Sequence, residues 1–175
     1  MSKILIVYDS VYGNTEQIAL AIGKAFDSVK SVAIMHAKDV KPEYLAGLQL
    51  LIVGSPTQKF SPLKAVNQML GEIPTNGLKG VQVAGFDTRL SLGEIDSSFE
   101  RWIVKTGGYA AKPITSRLKK CGGNLVAPAE GFLVSGTQGP LIEGELDRAT
   151  GWVRQIVTFT DGRRGMGVGR WGEPA

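Results

Sequence analysis

The chain opens on a short apolar run, Lys3 to Tyr8 (KILIVY), rich in β-branched residues and without polar alternation. Such a run suits a strand covered on both faces, as in a parallel sheet. From Thr15 the period changes. Ile18, Ile22, Phe26 and Val29, filled in by Ala19 and Ala25, form the stripe of an amphipathic helix of about four turns. Ser31 to Met35 predicts a second strand, Pro42 to Ala46 the start of a short helix, and Leu48 to Val53 a third strand that Gly54-Ser55-Pro56-Thr57 ends.

The same alternation continues. Leu63 to Leu70 predicts a helix with Pro62 at its first turn, and Val81 to Phe86 a fourth strand. Tyr109 to Cys121 predicts a helix closed by Gly122-Gly123, with Pro113 near its start. Leu125 and Val126 begin a fifth strand that Pro128 interrupts and Gly131 to Val134 resume. Leu141 to Phe159 predicts the last helix, with Glu143, Glu145 and Asp147 near its positive end.

Strand and helix thus alternate five times, which predicts an α/β fold: an open, five-stranded parallel sheet with helices on both faces. Two stretches depart from the alternation. Residues 88–106 are too many for a simple strand-to-helix turn, and residues 161–175 (DGRRGMGVGRWGEPA) have no periodicity. The expected organisation is one domain over residues 1–160 followed by a Gly/Arg-rich tail over 161–175, and the length of 175 residues agrees with one domain.

Composition narrows the chemistry. With 43% hydrophobic and 21% charged residues the chain can bury a substantial core. One cysteine and one histidine exclude a disulfide framework, dithiol exchange and the usual Cys/His zinc quartets. The first apolar run is too short for a signal sequence and no run approaches a membrane span, so the expected location is cytoplasmic and Cys121 is expected to stay a thiol. The formal charge is +4, but the basic residues are dispersed, which argues against nucleic acid as the partner.

In a doubly wound sheet, ligands bind beyond the carboxyl ends of the strands where the winding reverses, so the loops after strands one, three and four carry the information. The first, Asp9-Ser10-Val11-Tyr12-Gly13-Asn14-Thr15, runs directly into a helix. It offers short hydroxyl and amide groups, a glycine for close approach and free helix N–H donors, an anion site without a lysine. Neither the dinucleotide fingerprint nor the nucleoside-triphosphate loop is present. An ordinary helix cap by Ser10, Asn14 or Thr15 is the other reading of these residues.

Ser10-Val11-Tyr12-Gly13-Asn14-Thr15 resembles the phosphate loop of the flavodoxin family. Gly54 to Pro62 looks like that family's second flavin loop, Gly85-Phe86-Asp87-Thr88 like its third, and Glu130 to Leu141 like the approach to its last helix. The resemblance runs to about residue 159. It implies a three-layer sandwich with strand order 2-1-3-4-5 and FMN as cofactor. The implied cofactor-binding residues are Ser10, Val11, Tyr12, Gly13, Asn14 and Thr15; Pro56, Thr57, Gln58, Lys59 and Phe60; and Phe86, Asp87, Thr88 and Arg89. Phe60 with Pro56 is the candidate ring wall, although Phe60 also fits a staple onto the following helix.

The implied function is electron transfer between redox proteins, the cofactor doing the chemistry. FMN-dependent NAD(P)H:quinone oxidoreductases are similar in fold, but their Pro-Thr-Arg-Phe-Gly pattern is replaced here by Pro56-Thr57-Gln58-Lys59-Phe60-Ser61. With Lys59 and Arg89 in the flavin loops and a basic chain, the expected partner presents an acidic face. Trp102, Tyr109 and Trp152 read as packing residues, and His36 as a surface or supporting residue away from the switch point.

Overall fold

The structure is a computed structural model that describes residues 3–26, 31–91, 98 and 108–162. β1 (Ile4–Tyr8), α1 (Asn14–Lys24) and β2 (Val32–His36) come first. Two 3-10 turns, Ala37–Asp39 and Pro42–Leu45, lead to β3 (Leu50–Pro56) and α2 (Lys64–Glu72). β4 (Gln82–Leu90), α3 (Ala111–Lys120), β5 (Asn124–Leu125), β6 (Glu130–Val134) and α4 (Glu145–Gly162) complete the order.

All neighbouring strands are parallel, in the order β2-β1-β3-β4-β5, and β6 also pairs with β4. β5 takes the first two residues of β4, and β6 takes Phe86 to Leu90. The two are therefore one edge position, broken where Pro128 cannot donate to the ladder.

Burial explains why the first strand shows no alternation. Ile4 and Ile6 enter the core beneath α1 and α4, while Leu5 and Val7 enter the core beneath α2 and α3, and all four are buried. Each such side chain contributes about 1.5–3 kcal/mol of transfer free energy. Behind the first face Phe86, Phe132 and Trp152 form an edge-on aromatic cluster with centroids 5.9 to 6.2 Å apart. Gly54 makes room for it: a Cβ there would stand 2.0 Å from the Phe86 ring. Cys121 is buried on the other face, its thiol donating to the Ile73 carbonyl at 3.5 Å.

Some boundaries differ from the sequence expectation. β3 and β4 run on together, Ser55 opposite Asp87 and Pro56 opposite Thr88, so neither strand ends at its first polar residue. Pro62 precedes α2 rather than lying in its first turn, because Leu63 is extended and gives its N–H to the Ser55 hydroxyl. The segment at 42–46 closes as a single 3-10 turn. α4 starts at Glu145, so Glu143 lies before it, and it extends to Gly162. Val29, Trp102, most of residues 88–106 and the stretch from 163 onward lie outside the described residues. Among the described residues, no helix is long and apolar enough to cross a membrane.

Candidate functional site

The carboxyl ends of β1, β3, β4 and β6 converge on a cleft of about 90 Å³. On the β1 side the chain makes a tight turn into α1. Asp9 accepts the Ser10 N–H at 2.8 Å, the Ser10 hydroxyl accepts the Gly13 N–H at 3.0 Å, and Gly13 adopts a left-handed φ of 87°. α1 then begins with no side-chain cap. The Asn14 amide donates instead to the Gln138 carbonyl at 3.1 Å, and the Thr15 and Thr88 hydroxyl oxygens lie 2.7 Å apart. The capping alternative therefore fails, and the first-turn amides of α1 keep their donor capacity.

Thr15 and Thr88 are both buried. Between them they form one hydrogen bond, so among the described residues one O–H remains to be donated into the cleft that both residues line. Ser10 likewise uses only an acceptor pair on Gly13. These are neutral donors suited to an oxyanion.

The second loop turns at Gln58 and Ser61, whose backbones exchange bonds of 3.1 and 2.9 Å. Lys59 and Phe60 occupy the two central positions with φ of 48° and 63°. This is the backbone of a mirror-image hairpin turn, where Asn and Gly are the unstrained choices. A phenylalanine there stores strain. Lys59 is exposed, and Phe60 is half-buried and belongs to neither core.

The third segment, expected as a loop, is the carboxyl end of β4, and it is organised by Asp87, whose side chain is fully buried. It holds Arg89 in a fork at 2.5 and 2.8 Å and accepts the Ala111 N–H at 2.8 Å. Thr57 bonds it through its hydroxyl and accepts the Ala110 N–H at 2.9 Å, so Asp87 ties the second loop to the start of α3. Burial pushes the Asp87 carboxyl up from the ordinary aspartate value, against the pull of Arg89 and the other donors. The Arg89 guanidinium also lies 3.7 Å from the centre of the Tyr109 ring.

Of the residues singled out in the sequence, Ser10, Val11, Tyr12, Asn14, Thr15, Pro56, Thr57, Gln58, Thr88 and Arg89 line the cleft. Gly13, Lys59, Phe60, Phe86 and Asp87 do not. Phe86 is turned into the aromatic core with no exposed surface, because its side chain leaves the strand on the face of α1 and α4. Leu90, Val134 and Thr137 line the cleft as well and were not anticipated. The glycine-rich loop at the end of β6, Ser135 to Pro140, was the available signal.

A family model for flavodoxin matches residues 6–152. The chain belongs to the flavodoxin family. A flavodoxin from the domain Archaea is 22% identical with a TM-score of 0.70, covering 90% of this chain and 98% of its own. Oxidised flavodoxin 2 from Bacillus cereus is also 22% identical, with a TM-score of 0.69 and coverage of 89% and 98%. Rubredoxin oxygen:oxidoreductase from Desulfovibrio gigas is 20% identical with a TM-score of 0.69; the match covers 93% of this chain and 37% of that larger one. No curated protein sequence matches the chain significantly. Flavodoxins bind flavin, usually FMN, and transfer electrons to redox partners. The uncapped helix start and the neutral hydroxyl donors fit the phosphate monoester of such a group.

Proposed function

We propose that this flavodoxin binds FMN in the cleft and carries electrons between protein partners. The buried Thr15–Thr88 pair carries the reading, because it leaves a hydroxyl proton with no acceptor among the described residues, beside an uncapped helix start. When bound, the flavin supplies the reversible uptake and release of electrons. Ser10, Thr15 and the first-turn amides of α1 would hold the phosphate, and Pro56, Gln58, Thr88 and Arg89 would border the ring. Asp87 bonds Thr57 and Arg89 and so ties the second loop to the carboxyl end of β4.

The second loop favours a carrier over an enzyme with its own substrate, because Pro56-Thr57-Gln58-Lys59-Phe60-Ser61 departs from the Pro-Thr-Arg-Phe-Gly pattern of the quinone oxidoreductases. The exposed Lys59, next to the cleft-lining Gln58, and the charge of +4 match a partner with an acidic face.

The test is the visible spectrum of the purified protein, with the released flavin identified by chromatography. Bound FMN held more tightly than riboflavin is the expected result, and a preference for riboflavin would overturn the reading. Steady turnover of NAD(P)H with a quinone, on the order of 10 per second, would favour the NAD(P)H:quinone oxidoreductase alternative instead.

A further inference from the structure

Parallel pairing of β1 with β2 puts His36 opposite Tyr8. The chain's one histidine is thereby brought to the first residue of the phosphate loop. Its Nε2 lies 2.9 Å from Oδ1 of Asp9. The same carboxylate oxygen accepts the Ser10 N–H at 2.8 Å, and the Ser10 hydroxyl accepts the N–H of Gly13, the residue from which α1 starts. Two sets of hydrogen bonds, joined through Ser10 itself, therefore connect the imidazole to the start of the helix.

The other ring nitrogen has a different environment. Nδ1 of His36 is buried and meets no hydrogen-bond partner among the described residues. With the ring neutral, the proton sits on Nε2 and is donated to Asp9, and the Nδ1 lone pair faces inward. The pair then carries the full negative charge of Asp9 beside a loop built for an anion. Protonation cancels that charge but leaves an N–H in the interior without an acceptor. The two states of the imidazole thus differ in their electrostatic effect on the loop and are opposed by desolvation.

We propose that His36 is a positioning residue for the phosphate loop, and that a phosphate monoester bound at Ser10–Thr15 and a proton on His36 favour one another. The inference rests on the FMN reading above. The groups facing the imidazole are few. β1 contributes Asp9 and Tyr8, whose ring stands edge-on to the imidazole at 5.4 Å. α1 contributes Glu16, which accepts from the Tyr8 hydroxyl at 3.0 Å. The 3-10 turn after β2 contributes Lys38 and Asp39. Tyr8 stays protonated, its hydroxyl pushed up by burial and by Glu16, Asp39 and Asp9. Lys38 is the one other cation among these groups and makes no ion pair with Asp9 among the described residues, so a dianionic phosphate arriving at the loop draws a proton to His36. By linkage, the charged His36 strengthens phosphate binding by the same factor.

A single histidine gives a single imidazole signal, so the test is an NMR pH titration of the full chain with FMN and, separately, with riboflavin. The expected midpoint with FMN is higher by about half a pH unit or more, equivalent to about threefold tighter FMN binding when His36 is charged. Equal midpoints in the two complexes would overturn the proposal while leaving the FMN reading intact. Failure of FMN to quench its fluorescence on mixing with the protein would overturn the FMN reading and this inference together. His36→Gln keeps an N–H for Asp9 but cannot charge. Its FMN affinity, relative to riboflavin, is expected to lose about threefold more than the parent's on going from pH 8 to pH 5.5. Matching profiles for the two proteins would also overturn the proposal.

Discussion

The hydroxyl oxygens of Thr15 and Thr88, 73 residues apart in the chain, stand 2.7 Å from each other and join the start of α1 to the end of β4. The contact closes the cleft floor from two sides, and it decides what each residue can do. Neither hydroxyl is free to act independently of the other.

Thr15→Ala removes the bridge and, on the proposed reading, a donor to the phosphate. FMN binding is expected to weaken by about 10- to 100-fold, the equivalent of one charge-assisted hydrogen bond, with riboflavin changed by less than about threefold. Fluorescence titration with both flavins reads the difference, and equal losses would remove Thr15 from the phosphate site.

Gly13 and Gly139 both have left-handed φ, 87° and 96°, yet substitution should affect them differently. A Cβ on Gly13 meets nothing within 4 Å, so Gly13→Ala costs only the backbone preference, about 1–2 kcal/mol. A Cβ on Gly139 would stand 2.5 Å from Asn14 Oδ1 and displace the amide from Gln138. Gly139→Ala is expected to cost about 1 kcal/mol more than Gly13→Ala. Urea midpoints of the two variants check this.

Lys59 and Arg89 both belong to the proposed ring-side segments but are not equivalent cations: Arg89 lines the cleft and Lys59 does not. Arg89 is held by the buried Asp87, whereas Lys59 is exposed. Arg89→Gln leaves Asp87 without its cation and is expected to cost about 3–5 kcal/mol of stability, visible as a lower melting temperature. Lys59→Gln is expected to leave melting unchanged and to make the second flavin reduction potential slightly more negative. Unchanged melting in Arg89→Gln would show that Asp87 does not depend on it.

Glu145 at the start of α4 accepts the Leu133 N–H of β6 and a bond from Arg148 of its own helix, at 2.7 Å each. Burial raises its carboxyl, but Arg148 and Leu133 outweigh burial and hold it below the ordinary value of 4.5. The native state thus binds its proton less readily than the unfolded chain. Its stabilising contribution is fully present above pH 4.5 and is lost as pH falls through the depressed native value. Glu145→Gln is expected to flatten the acid limb of stability against pH, and an unchanged limb would assign that dependence elsewhere.

Phe86→Leu is expected to lower stability by about 1–1.5 kcal/mol through the aromatic cluster and to leave FMN affinity unchanged. A selective loss of FMN binding would place Phe86 in the site after all.

Local pattern reached far into this fold. The apolar run at Ile4–Tyr8, the helical stripe at Ile18 and Ile22, and the break at Pro128 all follow from dihedral preference and burial period, which neighbouring residues encode. The order of the strands followed from the family resemblance. Side-chain direction in a strand covered on both faces did not, since every position of Val83 to Phe86 is buried and no alternation marks which face each residue takes. That is why Phe86 turned out to lie in the core. The meetings of Thr15 with Thr88, of Asn14 with the Gln138 carbonyl and of His36 with Asp9 depend on parallel register and crossover geometry. Segments far apart in sequence are brought together only when the whole sheet assembles, so no local spacing records those contacts.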